Sequence, residues 1–366
     1  MGSRKKAGGA GKPQPGRVVA VTGAFGFLGR RLTRRLERDP DVERIVAIDL
    51  RSAVELARRE GEPTDPASYL RAHSRVSAHQ IDLTATGADR DLLDVFQSER
   101  VDTVCHLAFL SSPTHAVELA HELETIGTMY VLNATKAAGI ERLSSLSSTM
   151  LYGARSDNPA WLTEDHPLRA SDESRWLRDK IDADRQVRRF ADANPSCRAS
   201  VLRLGIVLGE GSRSFWPRYL GRPVVPTVLG YDPLFQVLHA EDAARGLHAV
   251  VKQGPRGVFN LVGRGVLPLS EVIHRLGHRA LPIPATAGNA LLSTLWRAQL
   301  VEIPPPFLDY LRWPWVAEGK RLEAAVGFSP RYTTAEALDR ADAPVRDEDT
   351  ATAPAPAPPD TEEARP

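Results

Sequence analysis

The sequence is poor in cysteine, with Cys105 and Cys197 the only two among 366 residues. Cys105 lies inside the apolar segment VDTVCHLAF, so we expect a buried free thiol there rather than a disulfide or a metal ligand. Two distant cysteines also argue against a disulfide-stapled secreted scaffold. The cysteine content fits a reducing cytoplasm, and no metal site is expected.

Long apolar runs and an excess of charge are lacking as well. No stretch approaches the roughly 18 to 20 apolar residues that a membrane helix needs, and the basic start leads into Gly and Pro rather than into a signal-peptide core. The formal net charge is +1, so no global field draws the chain to nucleic acid or to an anionic membrane. We therefore expect a cytoplasmic protein with no membrane span, whose partner is a small molecule rather than a nucleic acid.

The two ends of the chain differ in composition from its middle. Residues 1–16 are rich in Gly, Lys and Pro without periodicity, and residues 341–366 are rich in Ala, Pro and acidic residues. Neither segment has enough apolar surface to bury, so both are predicted to be disordered. The remaining length suffices for one large domain with a subdomain or for two modest domains.

The first apolar segment is followed by a glycine-spaced loop and then by helical periodicity, in the text RVVAVTGAFGFLGRRLTRRL. Gly23, Gly26 and Gly29 are three apart, which suits a tight turn, a close backbone approach to a pyrophosphate, and packing of the helix on the strand. The N–H groups near Phe27 and Leu28 would then face the diphosphate at the positive end of the helix dipole. The loop thus predicts a dinucleotide site, against the alternative of an ordinary turn with incidental glycines.

A second apolar strand at 45–48 ends in Asp49, twenty positions after Gly29. A carboxylate at this position can accept hydrogen bonds from both ribose hydroxyls of an adenosine. It would also repel a 2′-phosphate, although Arg51 could partly counter that repulsion. The predicted cofactor is therefore NAD rather than NADP.

Strand and helix signals alternate regularly over most of the chain, which predicts an α/β fold with a doubly wound, Rossmann-type parallel sheet. We assign the cofactor-binding domain to residues 17–210 and a smaller substrate-side lobe, interleaved with the sheet, to residues 211–340. The predicted strands are 18–21, 45–48, 76–82, 103–108, 142–147, 198–208 and 258–262. The predicted helices are 53–59, 91–100, 116–138, 175–193, 241–251, 270–276 and 285–299.

Several segments, in order, resemble the extended short-chain dehydrogenases/reductases, which include the NAD-dependent epimerases and dehydratases. The matching text includes VTGAFGFLG, QIDLT, VDTVCHLA, IGTMYVLNATKAAGIERL, SSTMLYG, LTEDHPL and LHAEDAARGLHAV. The resemblance implies that Asp82 and Leu83 border the adenine. It also implies that Leu107, Ala108 and Phe109 run past the ribose and phosphates of the cofactor.

Two further residues take roles from the resemblance. Ser148 occupies the position of the family's catalytic Ser/Thr, whose hydroxyl polarises a substrate oxygen beside the nicotinamide. Lys180 occupies the position of the lysine whose ammonium holds the nicotinamide ribose. The alternatives are a strand-end serine that bonds only to the backbone, and a solvated helix lysine.

The family's general acid/base tyrosine, four residues before the lysine, is Trp176 here. An indole N–H donates a hydrogen bond but cannot exchange a proton near neutral pH. Because Trp176 and Lys180 lie one helical turn apart, we expect the indole to line the nicotinamide end of the cofactor. His166, Asp179 and Tyr152 remain candidates for a substitute acid.

Three other positions depart from the family. Glu124 replaces an Asn of the run "N-V-x-G-T", Ile206 replaces a substrate-side Asn, and Phe235 replaces an Arg. Ile and Phe cannot bind a diphosphate, which disfavours a nucleotide sugar as substrate. Three interpretations remain: an epimerase/dehydratase-type oxidoreductase, the same scaffold acting on a more apolar alcohol or carbonyl, and a non-catalytic protein that binds or senses the dinucleotide. A homodimer is left open.

Overall fold

A computed structural model of the protein describes residues 16–51, 74–301 and 303–341. The predicted helix at 53–59 lies outside these residues, as do almost all of the two ends predicted to be disordered. The strands are β1 (Arg17–Thr22), β2 (Val42–Asp49), β3 (Val76–Gln80), β4 (Thr103–His106), β5 (Arg142–Ser148), β6 (Arg198–Leu204), β7 (Ile206–Leu208), β8 (Val224–Val228), β9 (Leu234–Phe235), β10 (Val237–His239), β11 (Gly257–Leu261), β12 (Leu267–Pro268) and β13 (Arg279–Ile283).

Eleven α-helices accompany these strands in the described part of the chain. They are α1 (Phe27–Arg38), α2 (Ala88–Ser98), α3 (Val117–His121), α4 (Thr128–Ala137), α5 (Arg175–Ala193), α6 (Phe215–Leu220), α7 (Ala240–Gln253), α8 (Leu269–Arg275), α9 (Ala285–Arg297), α10 (Lys320–Val326) and α11 (Thr334–Asp339). A π-helical turn (Glu122–Gly127) joins α3 to α4, and 3-10 turns cover Thr149–Tyr152 and Pro305–Leu311.

The main sheet has seven parallel strands in the order β11-β6-β5-β4-β1-β2-β3. The chain order reverses between β1 and β4, which opens a crevice at the carboxyl ends of these strands, where ligands bind in such sheets. The predicted doubly wound α/β fold is confirmed.

Both faces of the sheet are buried, which explains why β1 is apolar from Val18 to Val21. Val19 and Val21 pack with side chains of α1, α7 and α10, whereas Val18 and Ala20 pack with side chains of α2, α4 and α5. Because α7, β11 and α10 come from the second half of the chain, much of that half packs on the sheet itself.

A third hydrophobic cluster, rich in aromatic side chains, forms the core of the lobe. The indoles of Trp216 and Trp315 stack with their centroids 5.4 Å apart. Phe235 is fully buried and packs edge-on against both indoles, 5.3 Å from Trp216 and 5.8 Å from Trp315. The expectation that Phe235 occupies a substrate-facing position is therefore wrong, because its ring is part of this core.

Two predicted elements are interrupted. The helix expected at 116–138 contains the π-helical turn, and the strand expected at 198–208 ends at Gly205, where β7 leaves the main sheet to pair with β10. The backbone N–H of Gly205 donates to Leu261 O at 3.0 Å, so this bend is held by the neighbouring strand β11. Within the described ranges, no helix has the length and apolar character needed to cross a membrane.

A buried ion pair joins α5 to the sheet. Arg203 Nε lies 3.0 Å from Asp184 Oδ2 and Arg203 Nη2 lies 3.1 Å from Asp184 Oδ1, a bidentate geometry between two fully buried side chains. Ser147 Oγ donates to the same carboxylate at 2.8 Å. Removing one partner of such a pair leaves a buried charge without compensation.

We expect Asp184→Asn to lower the free energy of unfolding by about 3–5 kcal/mol, because Arg203 would keep its charge in the interior. Asp182→Asn on the same helix is the control, since Asp182 is 53% exposed and faces Arg185 at 3.7 Å. An exposed pair of this kind contributes about 0–1 kcal/mol. Equal losses for the two variants in urea unfolding would contradict the role given to the ion pair.

Candidate active site

A cleft of about 840 Å³ lies along the carboxyl ends of the central strands. Among its lining residues are ten of those predicted to contact cofactor or substrate: Gly23, Gly26, Phe27, Leu28, Gly29, Leu107, Phe109, Ser148, Trp176 and Lys180. Ile206 lines it as well. Asp49, Asp82, Leu83 and Ala108 lie outside this lining, so the structure brings most, but not all, of the predicted site together.

The three glycines of the loop meet different constraints. Gly23 has φ +70°, and a Cβ there would lie 2.9 Å from the backbone of Ala108. A Cβ on Gly29 would lie 2.2 Å from Gly23 O, so α1 can approach β1 only without a side chain. At Gly26 a Cβ would have one near neighbour, Gly23 O at 3.1 Å, and this residue lines the cleft. A side chain at Gly26 would therefore occupy the space of a ligand without a severe clash with the protein. This is the property expected of a loop that holds a diphosphate.

Asp49, at the end of β2, is buried beneath the loop. Its Oδ2 accepts from the N–H of Phe25 at 2.9 Å, and its Oδ1 accepts from Arg51 Nε at 3.0 Å. Arg51 in turn lines the cleft. Asp49 thus holds the glycine loop and also places a guanidinium at the end of the cleft where the adenosine is predicted.

Asp82 and Leu83 follow β3 and lie away from the cleft lining. Asp82 Oδ1 accepts from the N–H of Thr84 at 2.9 Å and from its hydroxyl at 2.7 Å, which closes a local turn. Leu83 is buried in the core with α2 and α4. Their predicted contacts with the adenine stay predictions.

Ser148 ends β5 and lines the cleft. Its hydroxyl oxygen accepts from the N–H of Met150 at 3.2 Å, so the strand-end role considered from the sequence is present. A hydroxyl that accepts one bond still carries a proton to donate. The backbone contact and a contact with a substrate oxygen are therefore compatible.

Trp176 and Lys180 lie next to each other on α5. Lys180 Nζ is 4.9 Å from the ring centroid of Trp176 and 5.2 Å from that of Phe109. Trp176 is buried, and within the described residues its Nε1 has no hydrogen-bond partner. A buried N–H without a partner is a donor that a ligand can use.

Glu124 gives Lys180 a buried partner. Glu124 Oε1 accepts from Lys180 Nζ at 2.8 Å and from the N–H of Leu110 at 2.9 Å, and its side chain is fully buried in the π-helical turn. Burial raises the pKa of Glu124, and the ammonium of Lys180 opposes that rise. The alternative of a solvated lysine is wrong. The sequence shows Glu124 as a departure from the family, but its partner became visible only in the structure.

None of the three candidates for a substitute acid is among the described residues that line the cleft. Tyr152 is fully buried, and its hydroxyl donates to Asn260 Oδ1 at 2.7 Å and accepts from Arg203 Nη1 at 3.0 Å. Its burial raises the pKa of the phenol. His166 packs edge-on against Tyr152 at 5.9 Å, and Asp179 Oδ1 bonds to His121 Nδ1 at 2.8 Å. Tyr152 and Asp179 thus belong to other hydrogen-bond networks, whereas His166 lies in the loop before α5 and its Nε2 has no hydrogen-bond partner among the described residues.

No group of three or more His, Cys, Asp or Glu side chains in the described ranges could hold a metal ion. Cys105 is buried in β4 as a free thiol, and burial raises its pKa to about 12.

Comparison with protein families gives a match to the NAD dependent epimerase/dehydratase family over residues 19–262. The chain belongs to this family. An uncharacterized protein of Mycobacterium tuberculosis is 31% identical over 331 residues, which cover 89% of this chain and 84% of the relative.

Solved structures with a similar fold include dTDP-glucose 4,6-dehydratase from Bacillus anthracis in complex with NAD. It has a TM-score of 0.66 and 15% identity and covers 89% of this chain and 95% of its own. UDP-glucuronic acid 4-epimerase from Bacillus cereus in complex with NAD has a TM-score of 0.65 and 18% identity, with 88% and 96% of the two chains covered.

Family membership confirms the resemblance seen in the sequence, and with it NAD as the cofactor of the family and the class of NAD-dependent oxidoreductases. The roles of individual site residues stay predictions, as do the domain boundaries.

We expect Gly26→Val to abolish NAD binding while the protein stays folded, because the new side chain would occupy the path of the pyrophosphate. Gly221→Val is a matched control: a Cβ there also meets one carbonyl oxygen, Pro217 O at 3.0 Å, but outside the cleft lining. Isothermal titration of NAD into both variants gives the comparison. Unchanged affinity in Gly26→Val would mean that the loop is not a phosphate site.

We also expect NAD to bind more tightly than NADP, because Asp49 would repel a 2′-phosphate. Arg51→Ala should widen this preference, since the guanidinium bound to Asp49 is the cation closest to that carboxylate in sequence. The measurement is a pair of titrations with each protein. Tighter NADP binding by the wild type would reverse the assignment.

Proposed function

We propose that this protein is an NAD-dependent oxidoreductase of epimerase/dehydratase type that acts on an alcohol or carbonyl group of a small molecule more apolar than a nucleotide sugar. The observation that carries the proposal is that Ser148, Trp176 and Lys180 line the same cleft as the glycine loop. The cytoplasmic location and the homodimer stay predictions.

NAD, when bound, supplies the hydride acceptor or donor. Gly26 and the start of α1 would hold its diphosphate, and Lys180 would donate hydrogen bonds to the nicotinamide ribose. Ser148 would donate a hydrogen bond from its hydroxyl to the substrate oxygen and so draw electron density from the reacting carbon. The Glu124 carboxylate fixes Lys180 Nζ at 2.8 Å, which orients the ammonium before any ligand arrives.

The substrate side of the cleft supports an apolar ligand. Ile206, Phe215, Trp216 and Met150 line it, and an aliphatic or aromatic surface offers a diphosphate no hydrogen bonds. Arg213, Ser212 and Ser214 line the cleft as well, so an anionic group on the substrate could be bound beside this apolar surface.

The alternative is a protein that binds or senses the dinucleotide without turnover. Trp176 favours this alternative because an indole cannot exchange a proton, and because none of the acids considered as substitutes is among the described residues that line the cleft. Both proposals share the cofactor site. They differ in whether a group in the cleft can exchange a proton with the substrate oxygen.

Replacing Trp176 by Tyr should create or raise NAD-dependent turnover of small alcohols or of carbonyls with NADH. A phenol beside Lys180 would supply general acid/base catalysis, worth a factor of about 10² to 10⁴. Trp176→Phe is the matched control, because it keeps an aromatic ring but lacks the hydroxyl of the Tyr variant. Nicotinamide absorbance against a panel of aliphatic and aromatic substrates measures the rates.

If the wild type turned over a substrate fast and Trp176→Tyr slowed it, another acid would act in the cleft. This result would contradict the assignment of Trp176 to the position of the general acid/base. It would also exclude the sensing alternative. Equal rates for the Tyr and Phe variants would show that the ring at position 176 does not face the reacting oxygen.

A further inference from the structure

A buried ion pair beside the cofactor cleft joins the π-helical turn to α5. Glu124 Oε1 accepts from Lys180 Nζ at 2.8 Å, the Glu124 side chain is fully buried, and that of Lys180 is 11% exposed. Lys180 Nζ lies 4.9 Å from the ring centroid of Trp176, the residue at the predicted tyrosine position. An ammonium has three N–H groups, and in the described part of the chain Glu124 takes one of them. The others are left for a ribose hydroxyl and a substrate oxygen.

The carboxyl group of Glu124 is satisfied at one oxygen only. Oε1 accepts from Lys180 Nζ and from the N–H of Leu110 at 2.9 Å, whereas Oε2 is buried without a hydrogen-bond partner among the described residues. An ionised carboxylate is costly in the interior when one of its oxygens has no donor, so the protonated acid is favoured. Burial accordingly raises the pKa of Glu124, although the ammonium of Lys180 opposes that rise. Glu124 can therefore hold a proton at a pH at which an exposed glutamate is ionised.

The other ionisable side chains around the pair lie on α5, α3 and β4. Asp179 on α5 is buried, and its negative charge raises the pKa of Glu124 further. Asp179 Oδ1 bonds to Nδ1 of His121, on α3, at 2.8 Å. His106 on β4 bonds to two threonine hydroxyls, and burial, with the charge of Lys180, lowers its pKa to about 3, so it is uncharged near neutral pH. Among these groups, Lys180 is the one that lines the cofactor cleft.

We propose that the ion pair takes the place of the missing tyrosine: Lys180 exchanges the proton of the substrate oxygen, and Glu124 stores a proton for Lys180. This inference rests on the proposed function. Lys180 lies beside the predicted tyrosine position and reaches the cleft, whereas Glu124 acts only through Lys180. Both residues of the pair are thus needed to replace one phenol.

The proton balance of alcohol oxidation follows from the hydrogen bond between the two side chains. The pair enters the step with one proton, which moves from Lys180 Nζ to Glu124 Oε1 and leaves a neutral amine. While the alcohol carbon gives its hydride to NAD, the alcohol oxygen gives its proton to this amine and the C–O bond becomes a carbonyl. The pair then holds two protons, and one passes to water when the product leaves the cleft. Carbonyl reduction with NADH is the reverse.

The first test measures the protonation of Glu124 in the full chain without cofactor. Difference infrared spectroscopy over a pH titration detects the carbonyl band of a protonated, buried carboxylic acid. We expect this band to persist above the usual pH range of a glutamic acid, to be absent in Glu124→Gln and to remain in Glu118→Gln. Glu118 is the matched control because it is 77% exposed and pairs with Arg175 of α5 at 3.2 Å. Absence of the band in the wild type would overturn the proposal.

The second test follows oxidation of cyclohexanol with NAD in a double-mutant cycle. Glu124→Gln should lower kcat by a factor of about 10² to 10⁴, because an amide still accepts from Lys180 but cannot take up its proton. In the Trp176→Tyr background the same substitution should cost much less, since the phenol then exchanges the proton. Glu118→Gln should leave both rates unchanged. Equal losses from Glu124→Gln in the two backgrounds would show a merely structural role and overturn the proposal.

The pH profile of kcat gives a further readout that a structural role would not change. Oxidation needs the pair with one proton, so its rate should fall as the pH drops through the raised pKa of Glu124. Reduction of cyclohexanone with NADH needs the pair with two protons, so its rate should rise over the same range. Both limbs should disappear in Glu124→Gln, because an amide does not titrate. Limbs that persist in this variant would contradict the assignment.

Failure of this inference differs from failure of the proposed function. NAD binding and the Glu124 band without turnover of any alcohol would overturn the proposed function and leave a proton-holding pair beside the cofactor. Turnover without the Glu124 band would overturn the role of the pair and leave the oxidoreductase standing.

Discussion

The positions of the predicted catalytic residues depend on the buried ion pair between Asp184 and Arg203. Asp184 lies on α5, the helix that carries Trp176 and Lys180, and Arg203 lies on β6. The same carboxylate accepts from Ser147, which precedes Ser148 on β5. One buried interaction thus fixes the helix and the strand end whose side chains meet in the cleft. Such a pair gives little net stabilisation compared with apolar residues of the same volume, and we infer that this one mainly positions α5 and the end of β5.

Arg203 also accounts for the surroundings of Tyr152, one of the candidates for a substitute acid. Its guanidinium donates to the phenol oxygen, whose own proton goes to Asn260. The phenol of Tyr152 thus satisfies a buried charge and lies outside the cleft lining. The residue predicted to stand at the family's tyrosine position is Trp176, and the ammonium beside it is held by a buried carboxylate, Glu124.

The parts of the fold with strong local signals could be predicted from the sequence. The glycine loop and the order of strands and helices follow from backbone sterics and from hydrophobic periodicity, and helix 175–193 has the predicted bounds. Strands β9, β10 and β12 could not be predicted, because two or three residues carry no periodicity and are held by partners distant in the chain. The split of 198–208 into β6 and β7 has the same cause.

The residues of the candidate site also divide into those with a local sequence signal and those placed by tertiary packing. Residues placed by a turn or by a helical face, such as Gly26, Trp176 and Lys180, line the cleft as the sequence suggests. Partners set by tertiary packing were not visible: Glu124 for Lys180 and Arg203 for Tyr152. Phe235 was misplaced because motif position alone does not tell whether a side chain faces a ligand or the core behind it.

The most direct test of the account is a crystal structure of the protein with NAD bound, which measures the surroundings of nicotinamide C4. The account predicts the indole of Trp176 beside the nicotinamide, with Lys180 Nζ and a ribose hydroxyl at hydrogen-bond distance. A nicotinamide ring remote from Trp176, with a different ionisable side chain within reach of C4, would contradict it.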